Sequence, residues 1–199
     1  MDLKNIAEKI ISLKNADLEL RDRLAKDGQL GEGYNEDMKN LHTRNAEKLE
    51  KIIDQIGYPT ADKLGKEASE AAWLVIQHSI NHPGFMKKCM RLLEAAAHEN
   101  ESEKIHLAYL TDRIAVFEDK PQRYGTQFDW DENGMLSPNF YDSLSEVNEN
   151  RKSLGLNLLE EQISIIRTHA QNENQQPPKD PLKRKQELEA WKKAVGWIK

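Results

Sequence analysis

The chain of 199 residues contains 38% hydrophobic and 32% charged residues and carries a net charge of −5. A chain of this length can bury a core without disulfides or metals, and no stretch approaches the roughly 18 consecutive apolar residues of a membrane span. The acidic balance argues against nucleic acid or an anionic membrane as a partner. The N-terminus lacks the basic start and apolar core of a signal peptide. The single cysteine, Cys89, excludes an internal disulfide and predicts a reducing, cytoplasmic location.

Apolar residues recur at three- and four-residue steps through residues 1–118, which is typical of amphipathic helices. The third of these helices is apolar nearly all round in its second half, which predicts a central, buried position. Gly28, Gly31 and Gly33 connect the first two helices, and because they follow a helix rather than a buried strand they do not predict a phosphate-binding loop. The five predicted helices cover residues 3–27, 35–55, 62–79, 85–98 and 102–118.

Residues 119–138 break this pattern, since they combine turn residues with aromatic side chains and have no helical period. The segment predicts one irregular loop or a small hairpin, in which residues 127–129 pair with residues 135–136 across Asn133-Gly134. Two further helices, at residues 143–154 and 159–168, are predicted after it.

The sequence of the C-terminal part predicts a linker followed by a helix. Residues 171–180 form a polar, proline-ended linker, and residues 181–199 form a basic amphipathic helix. Its apolar stripe predicts docking on the rest of the chain; the stripe consists of Leu188, Trp191, Val195 and Ile198. Trp197 lies off this stripe, which leaves contact with a second copy, and hence a homo-oligomer through this helix, as an open alternative.

These elements together predict an all-α fold. We expect a helical bundle of about six or seven helices with one irregular loop or small hairpin at residues 119–138. Residues 1–170 would form the helical domain, followed by the linker and the C-terminal helix.

Four short motifs carry a resemblance that none of them would carry alone. They are Ala71-Ala72-Trp73-Leu74 with Gln77-His78, Ala108-Tyr109-Leu110 with Asp112-Arg113, Pro121 to Gln127, and Arg151 with Leu154-Gly155-Leu156. Together they resemble an uncharacterised bacterial family of unknown function over about residues 15–165. Gly57-Tyr58-Pro59-Thr60 looks like the Gly-Trp-Pro-Thr of that family, with tyrosine in place of tryptophan. The resemblance implies a shared fold and a shared set of polar residues, and it implies no reaction.

His78 is the first candidate site residue. It ends the predicted buried helix in register with Leu74 and Val75, where the helix dipole favours a protonated imidazole. Two interpretations stay open: a core histidine bonded to a carboxyl or carbonyl group, or a general acid/base or ligand contact. His78 and His82 have the spacing of zinc ligands, but Pro83 ends the helix and no third ligand is evident, so neither a metal nor a cofactor is predicted.

Asp112 and Arg113 are the next candidates. Asp112 lies on an apolar stripe of its helix, and a buried charge must be paired. Either the two residues tether the neighbouring loop, or Arg113 binds a phosphate or carboxylate in a cleft between helices. The loop itself offers four hydrogen-bonding side chains around Gly125, namely Gln122, Tyr124, Thr126 and Gln127.

Two functions follow from these residues. In the first, the protein binds or transforms a small polar ligand, anionic if Arg113 is the clamp, with His78 as acid/base. The pocket would be lined by His78, Asp112, Arg113, Gln122, Tyr124, Thr126 and Gln127. In the second, the protein is a non-catalytic helical interaction module and the same residues form a structural hydrogen-bond network. Because a small core must satisfy all these polar groups, we expect His78 within about 10 Å of Arg113 or Tyr124.

Overall fold

The computed structural model describes residues 2–29, 33–97 and 101–199, apart from the side chains of residues 101 and 102. These residues form nine helices and a single two-stranded sheet, so the prediction of an all-α fold with a small hairpin is confirmed. The chain divides into two compact units, and the boundary between residues 103 and 104 lies inside one helix. Among the described residues, no helix has both the length and the apolar character needed to cross a bilayer.

Five helices lie within the N-terminal unit. They are α1 (Leu3–Lys26), α2 (Glu36–Ile56), α3 (Ala61–Leu64), α4 (Lys66–His78) and α5 (Pro83–Ala96). The third predicted helix is in fact divided, because Gly65 adopts a φ of +84° and breaks it into α3 and α4. This division is one reason why the helices exceed the expected six or seven. Gly31 and the predicted end of the fourth helix at His98 lie outside the described residues.

The core of this unit forms where α1, α2 and α4 pack against one another. Its centre is close-packed by fully buried side chains that include Ile10, Leu49 and Ile76. Ala71 and Ala72 of α4 are also fully buried, and their small side chains let the neighbouring helices approach closely. The central position predicted for this helix is therefore confirmed within the unit.

The remaining elements build the C-terminal unit. They are most of α6 (Glu101–Phe117), β1 (Phe128–Trp130), β2 (Leu136–Pro138), α7 (Leu144–Ser153), α8 (Leu159–Asn172) and α9 (Pro181–Val195). The strands pair antiparallel, with Phe128 opposite Pro138 and Trp130 opposite Leu136. Asp131 stabilises the turn, because its carboxylate accepts hydrogen bonds from the amides of Asn133 and Met135, both at 2.9 Å.

The C-terminal helix α9 packs on α6. The rings of Trp191 and Trp197 lie 5.4 and 5.1 Å from the ring of Phe117, centroid to centroid. Lys192 donates from Nζ to the carbonyl oxygen of Val116 at 2.9 Å. Trp197 is only 4% exposed, so its side chain is buried within this unit, and a homo-oligomer through the C-terminal helix stays a prediction. Gly196 adopts a left-handed conformation after α9 and turns the chain so that Trp197 returns to Phe117.

Candidate functional site

The predicted site residues fall into both units. His78 belongs to the N-terminal unit, whereas Asp112, Arg113 and the loop residues Gln122 to Gln127 belong to the C-terminal unit. The structure brings Asp112 and the loop together, and it gives His78 two partners that the sequence reasoning did not single out. The expected proximity of His78 to Arg113 or Tyr124 joins the two units and stays a prediction.

Asp112 holds the loop that follows α6. Its buried carboxylate accepts hydrogen bonds from the backbone amides of Arg123 at 2.8 Å, Tyr124 at 3.1 Å and Thr126 at 2.9 Å. The hydroxyl of Thr126 adds a fourth bond at 3.0 Å. Burial raises the pKa of Asp112, and these hydrogen bonds oppose that shift. The carboxylate oxygens of Asp112 thus accept their hydrogen bonds from the loop. This supports the interpretation in which Asp112 tethers the loop.

Gln122 closes the same loop from the other side. Its side-chain amide donates to the carbonyl oxygens of Gln127 at 3.0 Å and Asn139 at 2.9 Å. Its side-chain oxygen accepts from the amide of Gln127 at 2.7 Å. Gln122 therefore reproduces the hydrogen bonds of a neighbouring strand, and its side chain has little capacity left for a ligand.

Arg151, which belongs to one of the four motifs, fixes the loop from α7. Its guanidinium donates to the carbonyl oxygen of Tyr124 at 2.9 Å and to the carbonyl and side-chain oxygens of Asn157 at 2.6 and 2.8 Å. The planar guanidinium suits such a multiple contact. Each motif of this unit thus contributes at least one residue, Asp112, Gln122 or Arg151, to the hydrogen bonds around the loop.

A cavity of about 430 Å³ opens beside this network, between α6, the hairpin region and α9. Of the predicted site residues it includes Arg113 and Gln127. Its charged lining consists of Arg113, Lys120, Arg184, Lys192, Asp119 and Asp129. Lys192 Nζ pairs with Asp119 at 2.6 Å, and Arg184 pairs with Asp129 at 2.9 Å. Burial lowers the pKa of Arg113 to about 10.

A second polar cluster lies in the core of the N-terminal unit, where α1, α2 and α4 meet. Oδ2 of Asp17 lies 2.9 Å from Nδ1 of His78 and 2.9 Å from Nε2 of His42. Asp17 is fully buried, His42 is buried, and the side chain of His78 is 32% exposed. The hydroxyl of Tyr34 lies 2.6 Å from Nδ1 of His42. His78 is thus bonded to a carboxylate, as one of its two interpretations anticipated.

The electrostatics of this cluster favour an ionised Asp17 and a neutral Tyr34. Burial by itself raises the pKa of Asp17, but its interactions with His42 and His78 hold it well below the usual range. Burial and the charge of Asp17 raise the pKa of the Tyr34 hydroxyl. One oxygen or nitrogen atom from each of Asp17, His42 and His78 lies within 4.8 Å of the others, so the three residues can hold a metal ion.

The sequence does contain a signal for this cluster. Asp17 continues the apolar stripe of α1, which runs through Ile10 and Leu13, at the step where another aliphatic residue is expected. His42 does the same in α2, four residues after Met38. A polar residue on a core-facing stripe needs a buried hydrogen-bond partner. Two such residues on successive helices therefore predict a contact between them.

The family model for a family of unknown function, DUF6624, matches residues 4–171. The chain belongs to this family. The match spans both units and ends before α9, so the histidine cluster and the Asp112 loop network both lie within the family domain. No curated protein and no solved structure matches the chain. The family therefore carries no reaction over to this chain, and function has to be argued from the two sites.

Proposed function

We propose that the C-terminal unit binds a small anion, a phosphate or carboxylate attached to an apolar group, in the cavity beside Arg113. The observation that supports this is the charge of the lining, which holds four cationic and two acidic side chains in a chain whose net charge is −5. Lys120 also pairs with Glu118 outside the lining at 2.7 Å, and positive charge still exceeds negative charge when Glu118 is included. Such a local reversal of charge attracts an anion and raises its concentration at the cavity.

The size and the wall of the cavity define the class of ligand. A volume of about 430 Å³ falls within the roughly 300–1,000 Å³ of pockets that hold small molecules. Phe117, Phe128 and Phe140 contribute aromatic rings to the wall, and such rings pack against a flat apolar group. A bare inorganic anion would leave these rings unused.

Arg113 is the residue to which we assign the anion. Its lowered pKa reflects the cost of holding a guanidinium away from water, and a bound anion would offset that cost through charge-assisted hydrogen bonds. Lys192 and Arg184 pair with Asp119 and Asp129, so the charges of these two cations are balanced within the lining. Gln127, also in the lining, adds a neutral polar group that can orient the ligand.

The alternative function, a helical interaction module without catalysis, has one specific observation in its favour. Asp112, Gln122 and Thr126, which the sequence assigned to ligand binding, make their hydrogen bonds to the loop itself. The ligand-binding role of these three residues stays a prediction. The two functions differ in whether the cavity binds an anion at all.

Neither a reaction nor a compartment follows from the cavity alone. Its described lining includes no histidine, so we propose binding there and keep the acid/base role of His78 as a separate prediction. A cytoplasmic location remains our expectation, supported by Cys89, which is a free, buried thiol.

Isothermal titration of the full chain with phenyl phosphate tests the proposal, with inorganic phosphate and benzoate as comparison ligands. We expect phenyl phosphate to bind best, and Arg113→Gln to weaken it by about tenfold to a hundredfold, because a hydrogen bond to a charged group contributes about 1.5–3 kcal/mol. Arg123→Gln is the matched control, since Arg123 is an exposed arginine of the loop after α6 and lies outside this cavity.

Two results would overturn the proposal. The first is that none of the three anions binds to the wild-type chain. The second is that Arg113→Gln and Arg123→Gln weaken phenyl phosphate equally, which indicates diffuse attraction to surface charge. Circular dichroism of Arg113→Gln establishes that the variant is folded, and Arg113→Lys, which keeps the charge, should retain part of the affinity.

A further inference from the structure

Asp17 presents an unusual charge in the core of the N-terminal unit. Its carboxylate is fully buried, and both neighbouring imidazoles approach the same oxygen, Oδ2. Oδ1 is buried and accepts no hydrogen bond within the described part of the chain. A buried acceptor without a donor is costly, and a cation beside the carboxylate would remove that cost.

His42 is oriented in a way that suits a metal ligand. Its Nε2 lies 2.9 Å from Oδ2 of Asp17, yet the contact lacks the geometry of a hydrogen bond. Its Nδ1 faces the hydroxyl oxygen of Tyr34 at 2.6 Å. A histidine that ligates a metal typically donates its other ring N–H to an oxygen atom, which fixes the ring and leaves the ligating nitrogen unprotonated. Tyr34 is placed to be that oxygen acceptor.

From these contacts we infer that Asp17, His42 and His78 form a binding site for a divalent transition-metal ion of the Zn²⁺ class. Two imidazoles and one carboxylate are a ligand set that zinc uses, and three protein ligands leave a fourth position open. The partly exposed side chain of His78 gives water or a ligand access to that position. The inference does not depend on anion binding in the C-terminal unit.

The ligand atoms of the three residues all lie within 4.8 Å of one another. Ligand atoms of a tetrahedral zinc site lie about 3.4 Å apart, given zinc–ligand distances of about 2.0–2.1 Å. The two Asp17–histidine contacts are 2.9 Å each, so these atoms must separate by about half an ångström around a tetrahedral ion. The two histidine nitrogens lie within 4.8 Å of each other and must also reach that spacing. Three helices supply the ligands, so a bound ion would also crosslink α1, α2 and α4.

Metal titration of the full chain tests the inference, with Zn²⁺ in calorimetry and Co²⁺ as a spectroscopic probe. We expect one Zn²⁺ per chain and visible Co²⁺ absorption bands of tetrahedral intensity. His78→Gln should weaken Zn²⁺ by a factor of a hundred or more and abolish those bands. This variant alters a partly exposed side chain, so it is expected to remain folded, whereas Asp17→Asn changes a fully buried charge.

His82→Gln is the matched control. His82 follows His78 by four residues, the spacing at which two histidines of one helix bind zinc, but it lies outside the cluster. Unchanged Zn²⁺ affinity in His82→Gln together with loss in His78→Gln and His42→Gln supports the site.

Three outcomes would overturn the inference. They are no stoichiometric metal binding by the wild-type chain, equal losses in His82→Gln and His78→Gln, and binding that survives His42→Gln. The first would mean that the three residues form only a buried ion-pair cluster that joins the helices. The other two would place the metal elsewhere.

Discussion

At the scale of single residues, the best-defined polar group in the C-terminal unit is the carboxylate of Asp112. It accepts four hydrogen bonds from a loop that has no regular partner strand along most of its length. A carboxylate is suited to this task because both of its oxygens accept and neither donates. An asparagine of the same size replaces one acceptor by a donor that would face an amide N–H.

The first prediction concerns this replacement. Asp112→Asn should lower the free energy of unfolding by about 1–3 kcal/mol at neutral pH, because at least one buried amide of the loop loses its acceptor. Asp142→Asn is the control, since Asp142 is an exposed aspartate and should change stability by less than about 0.5 kcal/mol. Chemical denaturation measures both. Equal stabilities of the two variants would contradict the structural role of Asp112.

The second prediction is a pH dependence at the same residue. Burial raises the pKa of Asp112 in the folded state above its ordinary value of 3.8, so the folded chain binds the proton more tightly than the unfolded chain. The proton-linked part of the contribution of Asp112 to stability is therefore greatest below pH 3.8 and is lost as the pH rises through the raised pKa. The hydrogen-bond contribution that Asp112→Asn removes at neutral pH remains above that window. The asparagine of the Asp112→Asn variant does not titrate, so the stability of the wild-type chain relative to that variant should fall over this window. A rise would contradict the direction of the shift.

What the sequence predicts at this scale depends on whether a residue breaks a pattern. Asp112 is identifiable because it interrupts an apolar stripe, and its link to the loop is one of the two alternatives that the sequence leaves open. Asp17 and His42 interrupt stripes in the same way. Their pairing with His78 is nevertheless not predictable from the sequence, because it depends on which faces of α1, α2 and α4 meet. Periodicity does not specify the order of helices in a bundle.

At the scale of elements, the loop between α6 and β1 is fixed by close packing as well as hydrogen bonds. Gly125 has a φ of +62°, and a Cβ atom built there would lie 2.9 Å from a methyl group of Leu159. Gly155 has a similar φ of +65° but open space around it. A substitution at Gly155 therefore causes backbone strain alone, whereas one at Gly125 adds a steric clash with Leu159.

The third prediction uses this pair. Gly125→Ala and Gly155→Ala both place an L side chain in the left-handed region, at a cost of about 1 kcal/mol each. Gly125→Ala must also displace Leu159, so its loss of unfolding free energy should exceed that of Gly155→Ala by at least about another 1 kcal/mol. Thermal denaturation followed by circular dichroism measures the difference. Equal losses would show that the loop can move away from Leu159.

The fourth prediction concerns α9. Trp197 is 4% exposed beside Phe117, so Trp197→Ala should cost about 3–5 kcal/mol of stability. Leu182→Ala, at a position of α9 that is 75% exposed, should cost less than about 0.5 kcal/mol. The size of the chain in solution, measured by light scattering, should not change in either variant. A stable Trp197→Ala variant with altered association would instead favour contact with a second copy.

The differences at this scale have identifiable causes. The hairpin is predictable because Asn133-Gly134 is a strong turn signal between two short apolar runs. The break between α3 and α4 is not predictable from the sequence, because the apolar pattern continues across Gly65. A single glycine within a helical pattern does not by itself end the helix. The helical period misassigns Trp197 because it continues beyond Val195, where Gly196 reverses the chain.

At the scale of the whole molecule, the polar residues that define the sequence motifs belong to two clusters, one within each unit. The sequence predicts one pocket for all of them, because the boundary between the units lies inside α6. An uninterrupted helix gives no sequence signal of a boundary. The loop motif is accounted for by the structural network around Asp112. The two arrangements that go beyond such a network are the cavity with Arg113 and the cluster of Asp17, His42 and His78.

The fifth prediction tests the central claim, that the C-terminal unit binds a small anion at Arg113, and it is a crystal structure of the full chain with phenyl phosphate. We predict the phosphate within hydrogen-bond distance of the Arg113 guanidinium and the phenyl ring against Phe117 or Phe128. A phosphate bound elsewhere on the chain, or a cavity that stays free of phenyl phosphate at concentrations that saturate the calorimetric signal, would contradict the proposed function.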